Sequence, residues 1–418
     1  MKITLNKQYV LFLILFYTLI FNELLVTVFP IFQYEDEFIA VMAVPLCIWR
    51  LLSKRKLRYK KSLLPYIAGF VLCSLLGSLV YKYQPFMSVA LPDMLLCMKF
   101  WLCIYTGKEL FKKFDLDRFA PKLFLHVKLI TWLFVLLTAA DAVVDIFPGF
   151  DVRYGLESNM LFYKHPISLA SGCSILIIIS FAIKDRVKNC FFYVGLLSVI
   201  MFSTLRSKAI ADVAVFVLLY VLVVVRKRKL SPGTILLFLP LVLLIGWPQI
   251  EYYFFELGEG SARAQLLVKG FQVAKDHFPL GAGFGTFGSH YSAVEYSPLY
   301  YSYGLDAVFG LSEDYGYFIC DSFWPMVMAQ SGYLGTTFYI GAIVMLAKKI
   351  GSLKRRNLYY YASGLAAVLY MIVDSVASTA FVHPLAMPIA LWLGVLLADR
   401  PARKSEETAS VSQNGAAL

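Results

Sequence analysis

Residues 166–183 read PISLASGCSILIIISFAI, a run without a charged side chain, and Lys184, Arg186 and Lys188 stand directly behind it. At 1.5 Å per residue such a run is about long enough, as a helix, to cross the hydrocarbon core of a bilayer, about 30 Å. A basic cluster after an apolar run is what holds one end of a spanning helix on the cytoplasmic side. The same unit recurs along the chain. Apolar runs lie at 9–32, 38–52, 63–81, 87–106, 123–147, 190–204, 207–225, 233–250, 323–347, 357–377 and 383–398, so the pattern predicts about twelve spans. The 418 residues are 59% hydrophobic and only 16% charged, more apolar surface than a soluble domain of this length can cover. The expected fold is an all-α integral membrane protein, 1–400, with a polar, low-complexity tail at 401–418. The first run follows Lys2 and Lys7 and is trailed by Pro30 and Glu35-Asp36-Glu37 with no small-residue cleavage site, which predicts a retained anchor.

The formal net charge of +12 is spread over connections and forms no single patch, which argues against a nucleic-acid partner. Basic residues follow every second run: Lys54 to Lys61, Lys108 to Lys122, Lys184 to Lys188, Arg226 to Lys229, Lys348 to Arg356, and Arg400 to Lys404. This alternation predicts both termini in the cytoplasm. The intervening connections are then exterior, and the one at 251–322 is much the longest. It is rich in Gly and aromatics, including Tyr291, Tyr296, Tyr300, Tyr301, Tyr303, Tyr315 and Tyr317. Aromatic faces suit sugar rings, and they equally suit an interfacial belt. The seven cysteines and five histidines show no metal-ligand spacing.

Outer-side features carry the chemistry. In Ser203-Thr-Leu-Arg206-Ser-Lys208 two cations stand where the positive-inside pattern expects none, and cations at a span terminus facing a cavity suggest a binding role. The stretch from Ser261 to Pro279 predicts a helix capped by Ser261, stopped by Pro279, with Leu266, Leu267, Gly270, Phe271 and Ala274 on one face, lying on the membrane surface. Arg263 in its first turn has the fork geometry that grips phosphate. Behind it, Pro279-Leu-Gly281-Ala-Gly283-Phe-Gly285-Thr-Phe-Gly288 has the text of a nucleotide loop but no preceding strand, so a tight turn is expected. Asp321, where the loop enters a span, is placed to act as a general base or, with Ser322, to cap the helix. Gly332 and Gly335 predict close helix packing below it.

In order along 203–347, these pieces resemble the O-antigen ligase and O-antigen polymerase (Wzy-type) superfamily of bacterial membrane glycosyltransferases. Ser203 to Ser207 looks like the family's Ser/Arg segment, Arg263 through Gly288 like its Arg-helix and glycine turn, and Asp321 to Gly335 like the ligase motif H-[NSQ]-x9-G-x-x-[GTY], with Asp321 in the His position. The departure at Asp321 leans away from a ligase and toward a polymerase. The resemblance implies a GT-C-like helical bundle in the bacterial inner membrane with a large periplasmic loop. It implies metal-independent, cofactor-free glycosyl transfer, with a glycan on undecaprenyl diphosphate as donor and another lipid-linked repeat as acceptor. Membrane lipid and a chain-length regulator protein are the other implied partners. Catalysis is assigned to Asp321, Arg263 and Arg206, and substrate contact to Lys208, Lys269, Gly281, Gly283, Gly285, Ser322 and Tyr291. A ligase acting on lipid A-core is the nearest alternative. A transporter is the alternative from another class, for which Asp141, Asp212 and Asp374 in or near spans are the supporting residues.

Overall fold

The computed structural model describes residues 7–52, 63–227, 251–376 and 378–398, with Pro240, Leu244, Trp247 and Pro248 between them. The expected span at 233–250, the basic cluster at 54–61 and the tail at 401–418 lie largely or wholly outside these residues. The described chain is helical apart from one hairpin: α1 (Lys7–Ile20), α2 (Asn22–Val28), α3 (Glu35–Val41), α4 (Ala43–Leu52), α5 (Leu64–Tyr81), α6 (Leu91–Leu110), α7 (Leu116–Val144), β1 (Val152–Arg153), β2 (Leu156–Glu157), α8 (Pro166–Ile183), α9 (Cys190–Ser203), α10 (Ser207–Tyr220), α11 (Ala262–Asp276), α12 (His290–Val294), α13 (Pro298–Ser302), α14 (Phe323–Gly351), α15 (Leu358–Asp374) and α16 (Met387–Leu397).

Six described helical segments are long and apolar enough to cross a membrane, and a seventh counts if α1 and α2, bent by 78° at Phe21, form one span. Helices α9, α15 and α16 are apolar but shorter. Every described apolar run thus becomes helix, and the length criterion accepts about half of the twelve.

Apolar residues on both faces separate these helices from those of a soluble bundle. On α7, Leu123, Val127, Ile130 and Phe134 are buried, while Leu125, Leu129, Trp132 and Leu136 are exposed on the opposite side. Such a helix needs a second apolar medium, which lipid supplies. The charge-free run at 166–183, α8, is buried along almost its whole length among α7, α9 and α15.

Contacts between helix termini sort the bundle into two ends. At one end Gln8 donates to the Leu110 carbonyl at 2.8 Å, Arg186 pairs with Asp117 at 3.5 Å, and Asn357 donates to Asp185 at 3.3 Å. At the other, Tyr163 donates to the Ile20 carbonyl at 2.9 Å, Arg206 pairs with Asp151 at 2.9 Å, and Trp324 donates to Ser375 at 3.1 Å. The described basic connections fall at the first end and the long 251–322 segment at the second, which is the alternation read from the charges.

The glycine-rich turn fixes this second end. Gly332 interrupts α14 with φ +64° and ψ −177°, a conformation a helix cannot hold, and this frees carbonyls just upstream. The turn takes them: Ala282 N–H donates to Ala329 at 2.8 Å and Gly283 N–H to Gln330 at 3.0 Å. Phe284 N–H donates to Ser78 Oγ at 2.9 Å and Gly285 N–H to the Asp93 carboxylate at 2.7 Å. A Cβ on Gly281, at φ +79°, would lie 2.3 Å from the Gly332 nitrogen. Gly281→Ala is therefore expected to combine backbone strain with overpacking, together about 2 kcal/mol or more. Thermal melting in detergent would show a clear drop for it and none for Gly351→Ala, whose Cβ meets nothing within 4 Å.

Candidate functional site

Helix α11 forms where the sequence placed it, with Ser261 Oγ accepting the Ala264 N–H at 3.3 Å. Its buried face is Ala262, Leu266, Gly270, Val273 and Ala274, and it packs on α14, Gly270 fitting against Pro325. Of the face expected to lie on the membrane surface, protein covers Leu266, Gly270 and Ala274, while Phe271 remains exposed beside Val268. The packing brings Arg263 Nη2 to 3.1 Å from Asp321 Oδ2. The guanidinium also lies 4.8 Å from the centre of the Tyr253 ring. Burial pushes the Asp321 carboxyl above its usual range, and Arg263 opposes that rise. Asp321 does not cap α14, because Ser322 holds the N-cap position and its side chain makes no capping bond.

Arg206 closes the neighbouring wall. It is 7% exposed, donates to Asp151 Oδ1 at 2.9 Å and stacks over Phe150 at 5.2 Å. Its Nε is buried and has no partner among the described residues. Asp151 also accepts from Arg153 Nε at 2.9 Å and from Ser158. Burial alone would push its carboxyl up, and these hydrogen bonds outweigh that and hold it down. The hairpin β1–β2 places Arg153 here, turning through Tyr154 and Gly155, both at positive φ. Arg153 and Tyr154 line a cleft of about 480 Å³ with Tyr252 and Tyr253. Tyr253 thus joins the Arg263 side to the Arg206 side, since it lies within electrostatic reach of both.

Lys208, the second residue of α10, pairs with Asp374 at the end of α15 and lies 6.0 Å from the Tyr370 ring. Asp212 and Arg263 are within its electrostatic reach. Electrostatic reach thus links Arg263 to Lys208 directly and to Arg206 through Tyr253. The other sequence-nominated residues sit elsewhere. Lys269 is half-buried further along α11, and Ser322 is buried at the α14 start. Gly281, Gly283 and Gly285 are in the interior, their spare volume filled by Gly332, Ser78 and Val89, which is a packing role. Tyr291 faces a different set: Glu37, Asp93 and Lys99.

Sequence reasoning passed over two features. Lys99 is 1% exposed within α6 and pairs with Asp36 at 2.5 Å and Glu37 at 3.1 Å. A single lysine inside an apolar run was the available signal. His165-Pro166 and His383-Pro384 open α8 and the turn before α16, and each imidazole caps its own helix: His165 Nδ1 accepts the Ile167 N–H at 3.0 Å, His383 Nδ1 the Leu385 N–H at 3.2 Å. The repeated His-Pro at the starts of apolar runs was the signal there.

No protein-family model matches the chain, and no curated protein is similar enough to count as a relative.

Both histidine pKa values are pushed down to about 4, first by burial and next by Arg206 for His165 and by Lys208 for His383. An unfolded chain takes up these protons from about pH 6.5, the folded chain only near pH 4, so the unfolded state binds more protons in that window. Stability from these two groups is complete above pH 6.5 and is lost as the pH falls toward 4. Melting temperatures between pH 7 and pH 5 should fall less for the double variant His165→Asn/His383→Asn than for the wild type.

Proposed function

We propose that this chain is a membrane glycosyltransferase that polymerises lipid-linked oligosaccharide repeats at the outer face of a bacterial cytoplasmic membrane. The observation that carries the reading is the Arg263–Asp321 ion pair, a partly desolvated carboxylate held by a phosphate-matching guanidinium beside an aromatic cleft. The motif order of the Wzy-type polymerases supports it from the sequence side.

In this reading the acceptor hydroxyl gives its proton to the Asp321 carboxylate while its oxygen attacks the anomeric carbon of the donor. The bond from that carbon to the phosphate oxygen breaks, and the electron pair leaves with the undecaprenyl diphosphate. A single displacement inverts the anomeric centre. Arg263 and Arg206 stabilise the charge that develops on the departing diphosphate, an electrostatic term that grows where water is excluded. Tyr252, Tyr253 and Tyr154 offer ring faces to the sugars. When Arg263 turns to the diphosphate, Asp321 loses its counter-ion and becomes a stronger base.

A transporter is the second reading, and the Lys99–Asp36–Glu37 cluster favours it, because ionisable groups well inside a span commonly mark a transport path. Lys99→Met in an Asp36→Asn, Glu37→Gln background keeps the site neutral. Unchanged polymer in that triple variant would set transport through this cluster aside.

The test is the surface-glycolipid ladder of a deletion strain complemented with variants. Asp321→Ala should leave core plus one repeat, with turnover reduced about 10² to 10⁴-fold, the range for losing a general base. Normal ladders from a well-expressed Asp321→Ala would end the proposal. The acid limb of kcat/KM should lie above the usual Asp value of about 3.9. Arg263→Gln should move that limb to higher pH, since it removes the charge that holds Asp321 down.

A further inference from the structure

Within electrostatic reach of Arg206 and Lys208 lie two imidazoles whose orientation the helix caps decide. Nδ1 of His165 and Nδ1 of His383 each accept a backbone N–H, so each ring must keep a lone pair there. The ring proton is then on Nε2, on the side turned away from the capped helix. Neither Nε2 has a hydrogen-bond partner among the described residues. Each ring therefore presents one unspent N–H donor.

Their surroundings are cationic. Arg206, Asp151, Lys208 and Arg153 act on His165, with Arg206 the strongest of these. Lys208, Lys99, Asp36 and His165 act on His383. Phe150 ties the first ring to Arg206, lying 4.5 Å from the His165 ring and 5.2 Å from the guanidinium. The turn that His383 opens packs on α8, which His165 opens. His383 keeps an exposed face, while burial of the rest of the ring and the nearby cations hold it neutral. Arg206 Nε, on a side chain 7% exposed, is a further donor without a partner.

We propose that His165 and His383, together with Lys208 and the free edge of Arg206, form a cradle for the phosphate group of an amphiphile, in which the imidazoles serve as neutral donors. The proposal rests on the functional reading above in naming the donor lipid's diphosphate as the occupant, and it adds His165, His383 and Lys208 to the two arginines that hold that group. Phosphate accepts several hydrogen bonds at once, and unspent N–H donors beside Lys208 and Arg206 match it. Neutral rings supply donors without adding repulsion to cations already present.

The substitutions separate cradle from cap. Asparagine is a good N-cap residue and is too short to reproduce Nε2, so His165→Asn and His383→Asn keep the helix start and remove the donor. Glutamine reaches the Nε2 position and loses the cap. Full-length protein in phosphatidylcholine nanodiscs would be titrated with undecaprenyl diphosphate and, separately, with phosphatidylglycerol. The expected result is that each Asn variant binds undecaprenyl diphosphate about tenfold more weakly at unchanged melting temperature, about 1.4 kcal/mol. The Gln variants should bind within about threefold of wild type despite lower melting temperatures, about 0.6 kcal/mol. Asn variants that bind like wild type, or a wild type that binds neither lipid, would overturn the cradle. His-dependent binding of phosphatidylglycerol and undecaprenyl diphosphate alike would uphold a phosphate cradle while removing the ground for a specific glycan donor.

Discussion

The backbone seam between the glycine-rich turn and the break at Gly332 is the constraint on which the 251–322 end of the molecule depends. Ala282 and Gly283 give their N–H groups to carbonyls of α14 that the break has released, and Gly281 and Gly332 approach too closely for any side chain. Neither half is stable alone: a broken buried helix leaves carbonyls without donors, and an inserted turn leaves N–H groups without acceptors. Joined, they set α11 against α14, and that contact alone brings Arg263, early in one helix, to Asp321, just before the other. The glycines nominated for substrate contact thus act one step away from it, by fixing where the charged pair meets.

A second constraint is the cost of holding cations away from water. Arg206, Lys208 and Arg263 each sit against a carboxylate, Asp151, Asp374 and Asp321. Pairing lets them persist without a ligand, since an uncompensated buried charge is destabilising. It also means that an arriving anion must compete with a carboxylate and so exchanges partners. Where the displaced carboxylate is Asp321, the exchange produces a base. Where it is Asp151, Arg153 and Ser158 remain to hold it, so that exchange costs little and yields no base. The asymmetry follows from the partner counts of the two aspartates.

Much of this was legible in the sequence, for identifiable reasons. Helices and their boundaries follow from hydrophobic runs, capping residues and prolines, as Ser261 before α11 shows, because those signals are local. That the connections at 108–122, 184–188 and 348–356 share an end was legible because each carries a cluster of lysines and arginines. Arg263 and Asp321 were each nominated, but their contact was not, since it depends on the Gly332 break, and φ is not written in a glycine's identity. The apolar face of α11 was visible while its covering was not, because lipid and protein make the same demand on a side chain. Lys99 went unnoticed because one charge barely alters the mean hydropathy of α6, and its counter-ions lie in the connection between the first two runs.

The neutrality of the two imidazoles follows from the same electrostatics that pairs the cations. A third and fourth positive charge beside Arg206 and Lys208 would have no carboxylate to answer them, since Asp151 and Asp374 are already engaged. Histidine avoids this because its proton can be surrendered, and the backbone N–H at each helix start favours the form with a lone pair on Nδ1. The cap therefore does two things with one bond: it satisfies a helix terminus and it leaves a neutral donor on Nε2, away from the capped helix. Lysine or arginine at 165 or 383 could do neither. An asparagine could do only the first, and that difference is what assigns the histidines a role beyond the fold.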